Sequence, residues 1–243
     1  MTPMPALWRS AGRTARGKLR ARNEDAFLDC PQRGCWAVAD GMGGHRAGDV
    51  ASQSVIRSLA SLPGDDGFDQ RIDTVRRRLR ALDRQLSRAA PSVDGSLTDM
   101  MGSTVVALLL DGNRAACLWV GDSRCYLWRG QRLYQLSRDH SRLQQLMDRQ
   151  HLTLEQARGH PNARALTRAI GGRQPLGLEV LELCVHPGDV FLLCSDGLYQ
   201  GLSHGVLGHA LSMNNPRQMV DRLFAEVLRG PAQDDLTAVV VQP

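Results

Sequence analysis

Twice in this chain a short apolar run ends in Asp-Gly, and this repeated arrangement constrains the fold more than any other feature. The first run, Trp36–Ala39, ends at Asp40, and the second, Val190–Ser195, ends at Asp196. An apolar run of this length before a turn pair predicts a buried strand that stops at the aspartate. Because backbone pairing ceases there, we expect each carboxylate to point into a cleft.

Further acids occupy the same kind of position. Asp122 follows the apolar run that ends at Val120, and the pair Asp234-Asp235 precedes the apolar run Thr237–Val241. Several aspartates supplied by separate strands form the all-oxygen donor set that Mg²⁺ and Mn²⁺ prefer. The sequence has no HExxH motif and no close Cys/His pairing, so it does not predict a zinc site.

The acid pattern also predicts a type of substrate. Two ions about 3.5–4 Å apart can share a water, lower its pKa and present it for attack on phosphorus. Asp40 is the best candidate to bridge them, with the carbonyl of Gly41 beside it. A phosphate ester needs a cation to orient it, and Arg20 offers a planar fork for two phosphate oxygens. Arg22 is the alternative, because in a strand it would lie on the same face as Arg20.

Composition limits the remaining possibilities. With 243 residues, of which 42% are hydrophobic, the chain can bury the core of one domain and is not disordered as a whole. Its longest wholly apolar run, Val105–Leu110, is far shorter than the roughly 18 residues that span a bilayer. The first residues lack the apolar core of a secretory signal, and the six cysteines form no CxxC pair. We therefore expect a single cytoplasmic domain over residues 1–243, a monomer with reduced cysteines and no membrane insertion.

The net charge of +5 does not predict a nucleic-acid surface. Lys18 is the only lysine, so the basic residues are almost all arginine. The densest run, Arg76–Arg78 with Arg80, lies in a segment whose apolar residues recur every three or four positions. That spacing predicts an amphipathic helix with its arginines in solvent, and no aromatic residues interleave the basic ones.

Strand-like runs recur along the chain and are joined mostly by hairpin-type turns. The predicted strands are Cys35–Ala39, Thr104–Leu110, Ala115–Val120, Cys125–Trp128, Leu133–Leu136, Glu179–Val185, Val190–Cys194 and Thr237–Val241. Longer helical patterns are predicted over Gly48–Leu62, Phe68–Ala89 and Pro216–Leu228. Strands joined by hairpins, with the helices set apart, predict an α+β fold in which helices cover antiparallel sheets.

One polar segment, Asp139–Ile170, interrupts the strand pattern and is rich in Arg, Gln and His. Two short helical pieces are predicted in it, around Leu143–Met147 and Thr153–Ala157. An insertion of this size beside a site is typical of a substrate-facing flap, and the alternative is a surface excursion without function. We call residues 139–170 the candidate flap.

A series of short motifs runs in a fixed order along nearly the whole chain. They are Arg20 with Asn23-Glu24-Asp25, Val38-Ala39-Asp40-Gly41-Met42-Gly43, Gly102-Ser103-Thr104, Val120-Gly121-Asp122-Ser123-Arg124, Asp139-His140-Ser141, Leu166-Thr167-Arg168-Ala169-Ile170-Gly171, Ser195-Asp196-Gly197-Leu198 and Asp234-Asp235-Leu236-Thr237. Together they resemble the metal-dependent type 2C family of serine/threonine protein phosphatases, in its bacterial form. The resemblance implies a four-layer αββα sandwich, two antiparallel β-sheets flanked by helices, with a dinuclear site at one end and a flap insertion at 139–170.

The resemblance also implies a set of metal ligands. Asp40, Asp196 and Asp234 would hold the first Mn²⁺ or Mg²⁺ ion. Asp40, the Gly41 carbonyl and Glu24, directly or through a water, would hold the second.

Further roles follow from the same resemblance. Asp25 would orient metal-bound water, and Arg20 would bind the phosphate. Asp122 with Asp196 would form the weaker third-metal site of bacterial members. The motif Asp139-His140-Ser141 would belong to the flap and the substrate side.

The chain departs from the family pattern in two places. Where animal members carry a His two residues after the bridging aspartate, this chain has Met42, which cannot donate a proton to the leaving alkoxide. Where the family usually has Asp-Asn before the last strand, this chain has Asp234-Asp235, and the spacing to Thr237 favours Asp234 as the ligand.

The resemblance implies hydrolysis of phosphoserine and phosphothreonine in proteins. The phosphoproteins would be substrates of a Hanks-type kinase, for example in the control of a secretion system, by analogy within the family. The alternative is a catalytically dead relative that binds phosphoproteins. Every expected carboxylate is present, which favours the enzyme.

Overall fold

The computed structural model describes residues 8–43, 47–63, 66–89 and 101–243, and within them the chain forms eleven β-strands and seven α-helices. The strands are β1 (Arg9–Ala15), β2 (Asp25–Cys30), β3 (Cys35–Met42), β4 (Gly102–Ser103), β5 (Val105–Asp111), β6 (Arg114–Val120), β7 (Arg124–Arg129), β8 (Arg132–Gln135), β9 (Glu179–Cys184), β10 (Val190–Cys194) and β11 (Leu236–Gln242). The helices are α1 (Ala47–Ala60), α2 (Phe68–Ala89), α3 (Arg142–Gln150), α4 (Leu154–Arg158), α5 (Asp196–Gln200), α6 (His204–Leu211) and α7 (Pro216–Arg229).

The strands form two sheets. Sheet A has the order β1-β11-β10-β7-β8, and sheet B has the order β2-β3-β5-β6-β9, with β4 paired to β3. Neighbouring strands are antiparallel throughout both sheets. The predicted α+β fold with antiparallel sheets is therefore confirmed.

Three apolar clusters separate four layers. Trp36, Phe191 and Val239 belong to the cluster between the two sheets. Helices α1 and α2 bury their apolar side chains against the outer face of sheet B, and α6 and α7 do the same on the outer face of sheet A. Burial of apolar surface on both sides of each sheet stabilises the predicted αββα sandwich.

Helix α2 shows how the sequence pattern determines the packing. Ile72, Val75 and Leu79 are buried in the cluster beneath it, while Arg77 and Arg80 are exposed. The arginine-rich face therefore lies in solvent, as the spacing predicts. Among the described residues, no helix combines the length and the apolar character needed to cross a bilayer.

Antiparallel pairing brings alternate strand ends to one end of the sandwich. Strands β3, β6 and β10 finish there, and β2, β7 and β11 begin there. Three connections cross between the sheets at this end: residues 16–24 from β1 to β2, residues 121–123 from β6 to β7, and residues 136–178, which include the candidate flap, from β8 to β9. Because the predicted acids lie at these strand ends and crossings, the fold gathers them in one place.

Candidate metal centre

Asp25 and Asp40 lie side by side because they are register partners at the ends of β2 and β3. Ser195, which follows β10 in the other sheet, donates from Oγ to Oδ2 of Asp25 at 2.7 Å. The same Oγ accepts the backbone N–H of Thr237 at 3.0 Å. Ser195 thus joins the two sheets at the site and fixes the orientation of the Asp25 carboxylate.

The backbone of Asp40 is held on both sides by buried hydroxyl residues. Its N–H donates to Oγ1 of Thr104 at 3.0 Å, and its carbonyl accepts from the N–H of Thr104 at 2.8 Å and from Oγ of Ser103 at 3.1 Å. Oγ1 of Thr104 is also 2.7 Å from Oγ of Ser123, on the crossing that carries Asp122. These bonds fix the position of the predicted bridging acid relative to that crossing.

Glu24 approaches Asp40 across two glycines. The N–H of Gly41 donates to the carbonyl of Glu24 at 3.1 Å. A side chain at Gly48 would place its Cβ 2.8 Å from Cδ of Glu24, and one at Gly41 would collide with the carbonyls of Gly48 and Glu24. Glycine at both positions therefore lets helix α1 and the Glu24 carboxylate pack against the end of β3.

Burial and mutual repulsion raise the pKa values of the carboxyls that meet here. Burial, and then the charges of neighbouring aspartates, raise the pKa of Asp40 and of Asp122 well above their ordinary value. Burial, followed by the charge of Asp234, raises the pKa of Asp196 to about 6. Burial also raises the pKa of Asp25 to about 7, although the hydrogen bonds it accepts oppose the shift. These carboxylates would therefore be stabilised in their ionised form by added positive charge.

The donor set fits the predicted hard cations. Carboxylate and carbonyl oxygens are the ligands of Mg²⁺ and Mn²⁺, and a divalent ion would neutralise the repulsion that raises these pKa values. Over residues 8–43, 47–63, 66–89 and 101–243, no three acidic, His or Cys side chains already stand together as a finished ligand set. The charge and chemistry of the carboxylates thus fit divalent cations.

Contacts distinguish the two acids before β11. Asp235 is buried, and its carboxylate accepts the N–H of Gly17 on Oδ1 and the N–H of Glu24 on Oδ2, each at 2.9 Å. It therefore anchors both sides of the loop from β1 to β2. Asp234 is half-buried, and its Oδ1 accepts from Nε of Arg20 at 2.7 Å. The carboxylate of Asp235 is thus occupied by the loop, which favours Asp234 as the metal ligand.

Arg20 lies in the loop of residues 16–24 and not in a strand. The expectation that Arg22 shares a strand face with Arg20 is therefore wrong, because the chain turns in this loop. Arg22 is exposed and has no hydrogen bond or ion pair in the described part of the chain, whereas Arg20 contacts the acids through Asp234. The structure thus brings Arg20 to the site, and phosphate binding by Arg20 stays a prediction.

Arg124, two residues after Asp122, is the centre of a half-buried network. Its Nε and Nη2 donate to the two carboxylate oxygens of Asp139 at 2.8 and 2.7 Å. Its Nη1 donates to Oη of Tyr126 at 2.9 Å, and its Cζ lies 3.7 Å from the ring centroid of Tyr199. Arg124 therefore ties the start of β7 to the beginning of the candidate flap and to helix α5, and it neutralises Asp139.

The motif Asp139-His140-Ser141 is buried where the candidate flap leaves the sheet. Nδ1 of His140 accepts the N–H of Gly121 at 3.2 Å, and Nε2 lies 3.0 Å from Oε1 of Glu179. Oγ of Ser141 caps α3 by accepting the N–H of Gln144 at 3.2 Å. These contacts hold the base of the candidate flap, and a substrate-facing role for the three residues stays a prediction.

Sequence reasoning gave no role to several residues that position the acids. Ser195, Thr104 and Arg124 were part of recognised motifs, but their hydrogen bonds join segments that are far apart in the chain. The available signal was a small hydroxyl residue directly before or opposite a strand-end aspartate. Met42, which pairs with Gly102, adds no proton donor, because a thioether carries no proton to give.

Comparison with known proteins places these features in a family. The family model of protein phosphatase 2C matches residues 14–240. The serine/threonine protein phosphatase PstP of Mycobacterium tuberculosis is 36% identical over 244 residues, which cover 99% of this chain and 46% of PstP. The chain therefore spans about half the length of that relative. The serine/threonine phosphatase stp of Listeria monocytogenes is 30% identical over 236 residues, covering 95% of this chain and 94% of stp.

Solved structures agree with the sequence matches. PppA, described as a key regulatory component of the T6SS in Pseudomonas aeruginosa, is 40% identical with a TM-score of 0.88, over 98% of both chains. The catalytic domain of PstP in complex with two manganese ions is 36% identical with a TM-score of 0.81, over 97% of both chains.

Proposed function

Because this chain belongs to the protein phosphatase 2C family, we propose that it is a metal-dependent phosphatase that hydrolyses phosphoserine and phosphothreonine in proteins. The observation that carries the proposal is the convergence of buried and half-buried carboxylates from separate strands at one end of the sandwich. Such a group has little structural use, because burial makes its ionised form costly. The proposal covers residues 1–243 as one catalytic domain.

The site residues would divide between two metal ions. We assign Asp40, Asp196 and Asp234 to one ion, and Asp40, the Gly41 carbonyl and Glu24 to the other. When bound, Mn²⁺ or Mg²⁺ would lower the pKa of a coordinated water and neutralise phosphate charge. Manganese is the metal in the PstP complex, which supports Mn²⁺ here.

A third, weaker ion would bind at Asp122 and Asp196. The charge of Asp196 helps to raise the pKa of Asp122, so the two carboxylates lie close. Asp122 lies on the crossing from β6 to β7 and not on the strand that carries Asp40. We therefore expect that a substitution of Asp122 would release the third ion and leave the other two bound.

The remaining residues orient the reactants. Asp25 is fixed by Ser195 and would orient the attacking water. The guanidinium of Arg20 would grip the phosphate, and it must then share or release Asp234, with which it pairs in this structure. Met42 supplies no proton to the leaving alkoxide, because a thioether has none to give.

The partners of the enzyme would be phosphoproteins made by a serine/threonine kinase. PppA is described as a regulatory component of a secretion system, and its similarity over 98% of both chains supports a regulatory setting for this chain too. We propose that the chain opposes a bacterial Hanks-type kinase.

The test measures phosphate released from a phosphothreonine peptide, with Mn²⁺, with Mg²⁺, and after exhaustive chelation. We expect turnover with either metal and none after chelation, because all assigned ligands are hard oxygens. Full activity in chelator would refute the metal mechanism. Peptide binding without turnover in Mn²⁺ would instead support the alternative, a dead relative that binds phosphoproteins.

A further inference from the structure

A cavity of about 360 Å³ opens beside the acid cluster, between the candidate flap and the body of the sandwich. Its wall on the body side includes Asp122 and Arg124. Its wall on the other side includes four residues that we call the flap-pocket residues: Leu143, Leu154, Arg158 and Arg164. Ligand pockets usually measure about 300–1,000 Å³. A cavity at the small end of that range suits one side chain.

The turn that carries Arg164 is fixed to the start of α3. The N–H of Leu143 donates to the carbonyl of Ala163 at 2.7 Å, and the N–H of Arg142 donates to the carbonyl of Ala165 at 2.8 Å. Arg164 lies between these two bonded residues. Its guanidinium is near enough to the site to oppose the rise in the pKa of Asp196 that burial and Asp234 cause. The cavity therefore adjoins the acid cluster, and the charge of Arg164 acts on it.

The cavity carries positive charge that the chain itself does not neutralise. Arg158 and Arg164 are exposed, and neither has a hydrogen bond or ion pair within the described part of the chain. Asp139 is already paired with Arg124 through two hydrogen bonds. Asp122 is assigned above to a cation. The two free guanidinium groups are thus available to an anion from outside.

The same wall has an apolar part. Leu154 is 46% exposed although it is a large hydrophobic residue. It begins α4, whose start is fixed by the capping box of Thr153 and Gln156. An aliphatic stem lying on Leu154 and Leu143, with an anionic end on the arginines, would use both halves of the pocket.

We propose that this pocket selects substrates by binding an acidic side chain, best a glutamate, that lies a few residues from the phosphorylated residue. The glutamate carboxylate contacts Arg164 and Arg158, and its methylene groups pack on Leu154 and Leu143. The inference rests on the proposed phosphatase activity and names the class of phosphoprotein that the site prefers.

The test uses phosphothreonine peptides that differ only in one position, which is Glu in one peptide and Gln in its match. The position is moved through about five residues on each side of the phosphothreonine, the distance an extended chain needs to cross the pocket. For each pair we measure kcat/KM in Mn²⁺ and take the Glu/Gln ratio. At one or two neighbouring positions we expect a ratio of about five to ten, expressed mainly in KM, because the ion pair is partly open to water.

Variants of the pocket arginines test whether these residues cause the preference for Glu, in a double-mutant cycle between the enzyme variant and the peptide. Arg164→Ala should bring the Glu/Gln ratio to about one, and Arg158→Ala should reduce it by less. Arg149→Ala is the matched control, because it removes the same charge from an exposed position of the candidate flap outside the cavity and should keep the wild-type ratio. Arg164→Glu should reverse the preference in favour of a matched Lys peptide.

Different failures have different meanings. A wild-type enzyme that hydrolyses no peptide in Mn²⁺ would refute the proposed function itself. An enzyme that hydrolyses all pairs with a ratio near one, or an Arg158→Ala/Arg164→Ala enzyme that keeps the wild-type ratio, would overturn the pocket alone. A loss that is equal for Glu and Gln peptides in Arg164→Ala would also overturn it, since Arg164 would then act on the scissile phosphate.

Discussion

The strand-end acids and the candidate flap lie on either side of the same cleft, but they are held in different ways. Asp25 and Asp40 are placed by β-sheet register, and buried hydroxyl groups fix them from both sheets. The candidate flap is attached through its base, where Ile170 bridges Ser103 and the N–H of His140 donates to the carbonyl of Gly121 at 2.9 Å. Beyond the base, α3 and α4 contact mainly each other. The acids are thus part of the sandwich core, whereas the flap arginines are presented on a small separate unit.

This difference separates two kinds of function. Metal chemistry needs carboxylates placed to within a fraction of an ångström, which buried strands provide. Substrate selection tolerates more movement and needs exposed, variable side chains, which a polar excursion provides. We therefore expect changes at strand ends to affect turnover and changes in the candidate flap to affect the choice of substrate.

The largest effect is expected from Asp40→Asn. Loss of the bridging carboxylate should reduce kcat by more than the roughly 100-fold that removal of an outer-shell partner costs. Burial, and then repulsion by neighbouring aspartates, raise the pKa of Asp40, so a neutral residue there should raise the Tm of the metal-free protein. Phosphopeptide kinetics and thermal unfolding in chelator measure the two effects. Asp221→Asn, at an exposed acid of α7, is the control. Near-normal turnover in Asp40→Asn would show that Asp40 does not bridge the two ions.

A second prediction separates phosphate binding from metal binding at the same end. Arg20→Ala should raise KM for phosphopeptide by the equivalent of about 1.5–3 kcal/mol, typical of a hydrogen bond to a charged group. Arg20→Lys should recover only part of this, because an ammonium lacks the two-pronged geometry. Manganese affinity, measured by calorimetry, should not weaken, since Arg20 competes for Asp234. Arg22→Ala is the matched control. If KM rises in Arg22→Ala and not in Arg20→Ala, Arg22 and not Arg20 binds the phosphate.

A third, smaller effect tests how the sandwich supports the acids. Ser195→Ala removes the hydroxyl that donates to Asp25 and accepts from Thr237. Leaving these buried partners unsatisfied should lower the free energy of unfolding by about 1–3 kcal/mol. The kcat should fall about tenfold, the lower range for outer-shell partners. Urea unfolding and kinetics are compared with Ser54→Ala, whose exposed hydroxyl bonds only to its own helix. Equal stability of the two variants would contradict the bridging role of Ser195.

The strand-end acids could be placed from the sequence because their signal is local. An apolar run that stops at Asp-Gly predicts both the strand and its end. This is right for Asp196, which follows the end of β10, but β3 continues through Asp40 to Met42, because its last residues pair with β4. Helix α2 likewise begins and ends at the predicted residues, because its apolar spacing is regular. Strands β1 and β2 are not among the predicted strands. Both lie at sheet edges, and β1, with the sequence RSAGRTA, has no large apolar residue.

What the sequence alone could not predict depends on contacts between distant segments. The distinct roles of Asp234 and Asp235 follow only from the hydrogen bonds of Asp235 to a loop more than 200 positions earlier. The loop conformation of residues 16–24 depends on the same hydrogen bonds. Because these residues form a loop, Arg22 does not share a strand face with Arg20. The pairing of Arg124 with Asp139 is likewise a tertiary contact. The local sequence pattern predicts the strands, the helices and the positions of the acids. Tertiary hydrogen bonds determine which of two neighbouring residues, such as Asp234 and Asp235, can bind metal.

The smallest expected effect is the pH dependence that the base of the candidate flap contributes to stability. Burial lowers the pKa of His140, although its bond to Glu179 opposes the shift. The unfolded chain therefore takes up a proton near the ordinary pKa of about 6.5 while the folded protein does not. This contribution to stability is present above that pH and is lost as the pH falls towards the folded pKa. Urea unfolding of wild type and His140→Gln at about pH 7.5 and about pH 5.5 isolates it, because the raised aspartate pKa values act equally in both proteins. We expect the variant to lose less stability than wild type on acidification. Parallel losses would mean that His140 holds the base of the flap without contributing to its pH response.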